Sequence, residues 1–336
     1  AGVASQQVAA APATGTDASA LAEISGTVSS PVGDLLVSDP LTIRPRAEHA
    51  NVRIAGNRLR LAQGTAAFDF TFTHDGQTRR VLVVRPEPAT TGAPMLLMLH
   101  GNDSGNPENQ SNLSEVPDLV AAKGVWAVLP QTLDDSWDGD PAAPIGIDDV
   151  GFLADVVKVM TTTFKGDASR VYASGFSSGA FMAERFGCER SDLVAAVAVI
   201  AGTLTGGLSR SCAPAKPRPI MLVNGTDDPL VPYGGGRIGV QSSDAAYNFW
   251  IGRLNCAPSA TKTVALPDTT RDRTTVSLTS NTGCGSGGQV RRYAVNGGGH
   301  TWPGGLQYLP AWRIGRTSTD INATSELWDF MSPYRV

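Results

Sequence analysis

The 336-residue chain contains no run of eighteen apolar residues, so no stretch of it reads as a membrane-spanning helix. Basic charge is not in excess. Lys and Arg number 27 against 31 Asp and Glu, a formal net charge of -4, which argues against nucleic acid as a partner. The four cysteines show no Cys-x-x-Cys or Cys/His metal spacing, so no metal is expected. The start shows no basic-then-apolar export signal, and Ala1-Gly2-Val3-Ala4-Ser5 suits a mature chain left after cleavage. Cys188, Cys212, Cys256 and Cys284 form two pairs of sequence neighbours. Disulfides 188 to 212 and 256 to 284 are therefore expected, and with them an oxidising compartment, periplasmic or extracellular. Four free thiols in a cytosolic enzyme is the alternative.

Residues 1 to about 25 are rich in Ala, Gly, Ser, Thr and Gln and poor in large apolar groups, which predicts a tail or linker. From Ile24 to about Gly64, short β-like runs at 34–37 and 52–54 are punctuated by Pro31, Pro40 and Pro45, as in a small added strand layer or an irregular strap. The chain thus divides into an extension, 1–64, and a larger α/β domain, 65–336. In that domain Ala67 to Phe72 alternates, His74-Asp75-Gly76-Gln77 turns, and Arg80 to Val84 runs apolar, a hairpin expected at a sheet edge. Met95 to Leu99 and Gly124 to Pro130 read as strands covered on both faces. Asp148-Asp149 leads an apolar stripe at helical spacing, and further strands are expected at 194–200, 219–223 and 289–295, with helices at 244–254 and 324–331. Strands alternating with helices predict an open, mostly parallel sheet, whose active residues gather beyond the C-terminal strand ends.

Gly175-Phe176-Ser177-Ser178-Gly179 follows the run Arg170 to Ser174 and precedes a helix-like stretch. A strand turning this sharply into a helix strains its apex residue, and flanking glycines remove the Cβ atoms that would collide there. Ser177 is that apex, placed to act as a nucleophile, with the N–H of Ser178 aimed where an oxyanion would form. The plain alternative is a Gly/Ser turn with Ser177 as a helix cap.

The 219–223 strand runs into Asn224-Gly225-Thr226-Asp227-Asp228-Pro229, placing two carboxylates at its end, although an Asx turn needs no more than this. The 289–295 strand leads into Asn296-Gly297-Gly298-Gly299-His300-Thr301-Trp302-Pro303, a glycine-flanked loop suited to presenting a side chain. Of the four histidines, His49 and His74 are peripheral and His100 belongs to the loop after the 95–99 strand, which leaves His300 as the candidate base. Chain order is then Ser, Asp, His, the order of α/β-hydrolases.

These segments, with His100-Gly101, Asp148-Asp149-Val150-Gly151-Phe152, Gln307-Tyr308-Leu309-Pro310, the stretch Gly315 to Thr324 and Trp328-Asp329-Phe330, resemble the polyhydroxybutyrate depolymerase and feruloyl esterase family of secreted serine esterases. The resemblance covers roughly residues 65–336. It implies an α/β-hydrolase fold, no cofactor, Ser177 as nucleophile, His300 as base, and Asp228, directly before Pro-x-Val-Pro, as the acid, with Asp227 its rival. It implies the N–H of Asn102 as second oxyanion donor, where relatives often carry cysteine, and it places Trp137 and Trp302 on the substrate cleft, ordinary packing being the alternative. His100 is counted with them as a substrate contact. The expected substrate is an ester, possibly polymeric, with aliphatic polyester of the poly(3-hydroxybutyrate) type foremost and feruloyl, acetylxylan or polyamide substrates as alternatives. A non-catalytic binding module on the same fold is the reading of another class.

Overall fold

Five consecutive apolar residues, Met95 to Leu99, sort alternately onto two cores: Met95, Leu97 and Leu99 join one, Leu96 and Met98 the other. None is more than 1% exposed. A strand whose successive side chains point to opposite faces can bury all five only if helices cover both sides of its sheet. Each such side chain contributes about 1.5–3 kcal/mol on leaving water.

The computed structural model describes residues 22–24, 28–30, 33–35, 41–46, 58–102 and 105–336, with side chains before residue 58 described only at Arg44 and Arg46. The predicted 52–54 run and His49 lie outside these residues. In chain order the strands are β1 (Ala22–Ile24), β2 (Val28–Ser30), β3 (Gly33–Leu35), β4 (Leu41–Arg46), β5 (Thr65–His74), β6 (Gln77–Pro86), β7 (Met95–Leu99), β8 (Trp126–Pro130), β9 (Val171–Phe176), β10 (Ala196–Ile200), β11 (Ile220–Gly225), β12 (Thr261–Ala265), β13 (Thr275–Asn281) and β14 (Val290–Asn296). The helices are α1 (Pro107–Ser114), α2 (Val116–Lys123), α3 (Asp149–Thr162), α4 (Ser178–Glu189), α5 (Gly206–Ser211), α6 (Ser243–Arg253), α7 (Ala311–Ile314) and α8 (Ala323–Met331).

One sheet runs β1-β4-β5-β6-β8-β7-β9-β10-β11-β14-β13-β12, while β2 and β3 pair separately. Its six central strands, β8 to β14 in that order, are parallel. Both flanks are antiparallel, so the sheet is parallel where the helices cover it and mixed as a whole. Residues of α3, α4 and α6 pack on one face and those of α2 and α8 on the other. This is the α/β-hydrolase architecture. The β5–β6 hairpin forms around Asp75 and Gly76 but is not the sheet's edge, because β4 pairs with β5 beyond it, Pro45 opposite Phe68.

Charge fastens that flank to the body. Arg46 contacts Glu108 (2.8 Å) and Asp69 (3.3 Å), and Arg80 contacts Asp69 (2.8 Å), Gln131 (2.9 Å) and Glu108. Glu108 is fully buried. Burial alone would raise its carboxyl, but hydrogen bonds and charge from Arg80, joined by Arg46, outweigh it and hold the group below its ordinary value. The expected disulfides, Cys188 with Cys212 and Cys256 with Cys284, are both present.

Within α4, Glu184 is 1% exposed, and its Oε1 accepts the Trp250 indole N–H of α6 at 2.6 Å. Burial pushes its carboxyl from 4.5 up to about 7, opposed by that single hydrogen bond. Because the folded value lies above the unfolded one, the native state gains from the bound proton. The stabilisation is complete below about pH 4.5 and is lost as pH rises through 7, on the order of 3 kcal/mol. Glu184→Gln keeps the acceptor for Trp250 and is expected to remove that slope. Urea midpoints at pH 5 and pH 8 measure it, and equal slopes in the two proteins would show that Glu184 does not carry the effect.

Candidate active site

Phe176 ends β9 at the centre of the parallel strands, and the chain turns through Ser177 into α4 with φ 56° and ψ -120°, a left-handed conformation that a side chain adopts only under constraint. The constraint is visible on both sides of it. The Ser177 N–H donates to Ile200 O (3.0 Å), and the Ser177 carbonyl already accepts from Ala180 and Phe181. Ser177 occupies the cap position, yet its side chain makes no cap hydrogen bond, so the capping alternative fails and the hydroxyl is left free at a partly exposed position.

The two glycines of the motif are required by close approach. A Cβ on Gly175 would fall on the Gly179 carbonyl, and a Cβ on Gly179 would fall on those of Leu99 and His100. Gly179→Ala is therefore expected to cost about 3 kcal/mol. It should also shift the turn and lower turnover; an unchanged urea midpoint would show that the backbone relaxes freely.

Of the two carboxylates after β11, only one meets the imidazole. Asp228 is buried, its Oδ1 accepts the N–H groups of Leu230 and Val231 at 2.8 Å each, and its Oδ2 lies 2.8 Å from His300 Nδ1. Asp227 is exposed, its carboxylate accepting only from Thr226 Oγ1 (3.2 Å). A carboxylate can only accept here, so Nδ1 carries the proton and Nε2 keeps its lone pair. The His300 backbone N–H donates to Ile314 O (2.6 Å), and its ring packs against the Phe176 ring at 5.0 Å. Since Phe176 immediately precedes Ser177, the imidazole and the elbow share one corner of the sheet.

The His100-Gly101 segment passes directly against the elbow, where a Cβ on Gly101 would lie 3.1 Å from Ser177 Cβ. Asn102 follows, exposed. Ser178 is the first residue of α4, where N–H groups have no acceptor within the helix. His100, Trp137 and Trp302 are 2%, 3% and 0% exposed. Their burial supports packing. The Trp137 indole donates to His100 O (2.9 Å), and that of Trp302 donates to Thr324 Oγ1 (3.0 Å). Burial lowers the His100 pKa to about 4, leaving a neutral ring whose Nδ1–H donates to Gly101 O (2.8 Å) while Nε2 accepts from Thr132 N (3.2 Å). It shapes the turn leading to Asn102.

Sequence reasoning did not single out three residues around the Asp228 and His300 loops. Tyr308 donates its hydroxyl to His300 O (3.1 Å) and stands edge-on to Phe176, closing an aromatic wall behind the imidazole. Leu230, 47% exposed, sits two residues after Asp228; Trp312, 86% exposed, lies two residues before Ile314, which binds the His300 backbone. Such exposure in large apolar side chains was the available signal only once the loops were placed.

No family model matches the chain. NocK of Nocardia uniformis subsp. tsuyamanensis, which bears an esterase name, is 30% identical over 260 residues, 71% of this chain and 74% of that protein. Feruloyl esterase B of Piromyces equi is 31% identical over 169 residues, 47% of this chain, and the match spans 31% of that enzyme's length. The bifunctional acetylxylan esterase/xylanase XynS20E of Neocallimastix patriciarum is 25% identical over 263 residues, 78% of this chain and 34% of its own. Among solved structures, a thermostable esterase superposes with TM-score 0.53 at 14% identity, covering 92% of this chain and 76% of its own. The acetyl xylan esterase from Aspergillus awamori gives 0.52 at 17% identity, covering 66% and 89%. Both share the fold.

Proposed function

That this chain belongs to the esterase family that includes NocK is the premise from which we propose how it hydrolyses carboxylic esters: as a serine esterase working through an acyl-enzyme. The observation that carries the reading is the buried Asp228–His300 pair beside a strained elbow presenting a free Ser177 hydroxyl. His300 Nε2 takes the Ser177 proton as Oγ attacks the ester carbonyl. The N–H groups of Ser178 and Asn102 hold the tetrahedral oxyanion, each contributing roughly 3–4 kcal/mol to the barrier's reduction. Asp228 keeps the imidazole in the productive tautomer and stabilises its charged form. The imidazolium returns the proton to the departing alcohol, and water activated by the same ring releases the acid.

For the substrate, relatives named as feruloyl and acetylxylan esterases favour acyl groups esterified to polysaccharide. The aliphatic polyester is the second reading, favoured by exposed Leu230 and Trp312 near the base loop, an apolar rim on which a polymer chain could lie. The two disulfides support a site of action in an oxidising compartment, outside the cytoplasm. Residues 65–336 are proposed as the catalytic domain and 1–64 as its extension.

A fluorophosphonate probe is expected to label the protein once, on Ser177 by peptide mapping. Ester turnover without labelling would reject the serine mechanism, and an inert, unlabelled protein would support the binding module. Products released from methyl ferulate, acetylated xylan and amorphous poly(3-hydroxybutyrate) then decide the substrate class.

A further inference from the structure

A second cluster of titratable groups stands apart from the proposed reaction. His74 closes the β5 end of the hairpin, and its ring is nine-tenths buried. Its Nδ1 lies 2.7 Å from Asp155 Oδ2 on α3, so this nitrogen carries the proton and donates it to the carboxylate. The opposite nitrogen, Nε2, is buried and makes no hydrogen bond. It faces two carboxylates instead: Asp148 Oδ2 at 3.4 Å and Asp75 Oδ2 at 3.8 Å. Asp148 uses Oδ1 to cap α3 through Gly151 N (2.9 Å), which leaves Oδ2 uncommitted. Arg79, on the neighbouring strand, is committed to Asp149 at 2.8 Å and lies over the Phe152 ring.

Three acidic groups thus surround one imidazole, whose Nε2 lies within 3.8 Å of two of them. Among the described residues, His74, Asp75 and Asp148 form the one trio with ligand atoms all within 4.8 Å of each other. Ligands bound to zinc at about 2.0–2.1 Å with tetrahedral angles stand about 3.4 Å apart, the His74–Asp148 separation. Asp75 Oδ2, at 3.8 Å from Nε2, belongs to a side chain that is 72% exposed and so not held by packing.

We propose that His74 Nε2, Asp75 and Asp148 bind a divalent transition-metal ion such as Zn2+, with water completing the coordination on the exposed side. Asp155 holds the ring from behind, the carboxylate–histidine–metal relay that fixes a ligand's tautomer and raises its basicity. Imidazole among the ligands suits zinc better than calcium, which takes oxygen alone. No Cys/His spacing announces the site, because Asp148 lies more than 70 positions after the adjacent His74 and Asp75 and meets them only when the hairpin tip docks on the start of α3. The ion would pin that tip to the loop carrying Trp137, whose neighbour Asp138 donates its N–H to Asp149 (2.9 Å). Its effect is on stability, and no step of ester hydrolysis passes through it.

Tag-free, chelator-treated full-length protein is expected to take up one Zn2+ per chain by isothermal titration calorimetry and to melt at a higher temperature with the ion present. His74→Ala and Asp148→Asn should each abolish uptake while circular dichroism shows an intact fold. Asp155→Asn, which leaves all three ligands, should weaken uptake about 10–100-fold. The exposed Asp329→Asn should leave it unchanged. No uptake by the wild-type protein, with His74 simply an imidazolium among carboxylates, would overturn the site, and so would undiminished uptake by His74→Ala.

Discussion

Ser177→Ala is expected to lower kcat for a short-chain p-nitrophenyl ester on the order of a million-fold while leaving the unfolding free energy from urea titration within about 0.5 kcal/mol of wild type. Both halves follow from the geometry. The hydroxyl is the atom that forms the acyl bond, so nothing on the remaining methyl can substitute for it, and only oxyanion donors and binding persist. Stability should hold because the Ser177 side chain caps nothing in α4 and the turn's strain resides in a backbone that alanine shares. Retained turnover would remove Ser177 as nucleophile. Lost turnover together with a collapsed midpoint would instead mean that the serine maintains the elbow, contrary to its free side chain.

How much of this was readable beforehand depended on whether local pattern or long-range contact decided the outcome. The parallel strands announced themselves because helices cover both faces and force unbroken apolar runs, as in Met95–Leu99 and Ala196–Ile200. The edge strand β12 gave no such signal: every residue of Thr261–Ala265 is exposed, so no burial pattern marks it. Helix α1 was hidden for the opposite reason. Its sequence is polar, yet Glu108, Gln110, Ser111 and Asn112 are buried, with arginines from β4 and β6 meeting Glu108 and the backbone of Arg58 and Arg60 meeting Asn112. At the site, strand-end position and chain order singled out Ser177 and His300. Adjacency could not separate Asp227 from Asp228, since the difference lies in which way a turn rolls. The family resemblance placed Trp137 and Trp302 on the cleft, with His100 beside them and packing as the alternative, and the structure buries all three. The hairpin was misplaced at the edge because β4, which pairs outside it and whose Arg46 reaches Asp69 and Glu108, carries too short and proline-broken a run to announce a strand.

The adjacent aspartates supply the sharpest remaining contrast. Asp228→Asn is expected to lower kcat about 10,000-fold, and Asp227→Asn by no more than a few-fold. Asparagine at 228 preserves Oδ1, the acceptor for Leu230 and Val231, so the turn and the fold should survive. What changes is the group facing His300 Nδ1. An amide N–H in place of Oδ2 obliges Nδ1 to accept, which moves the ring proton to Nε2 and removes the lone pair that must receive the Ser177 proton. The imidazolium formed during attack also loses its carboxylate partner in a site where the ring is only 3% exposed and water cannot replace it. At position 227 the carboxylate is exposed and contacts only the Thr226 hydroxyl, so neutralising it alters nothing that reaches the imidazole. Steady-state kinetics of both variants, each with its urea midpoint, make the comparison. Equal losses would show that charge near the loop, and not the tautomer of His300, governs the rate; a larger loss at 227 would reassign the acid.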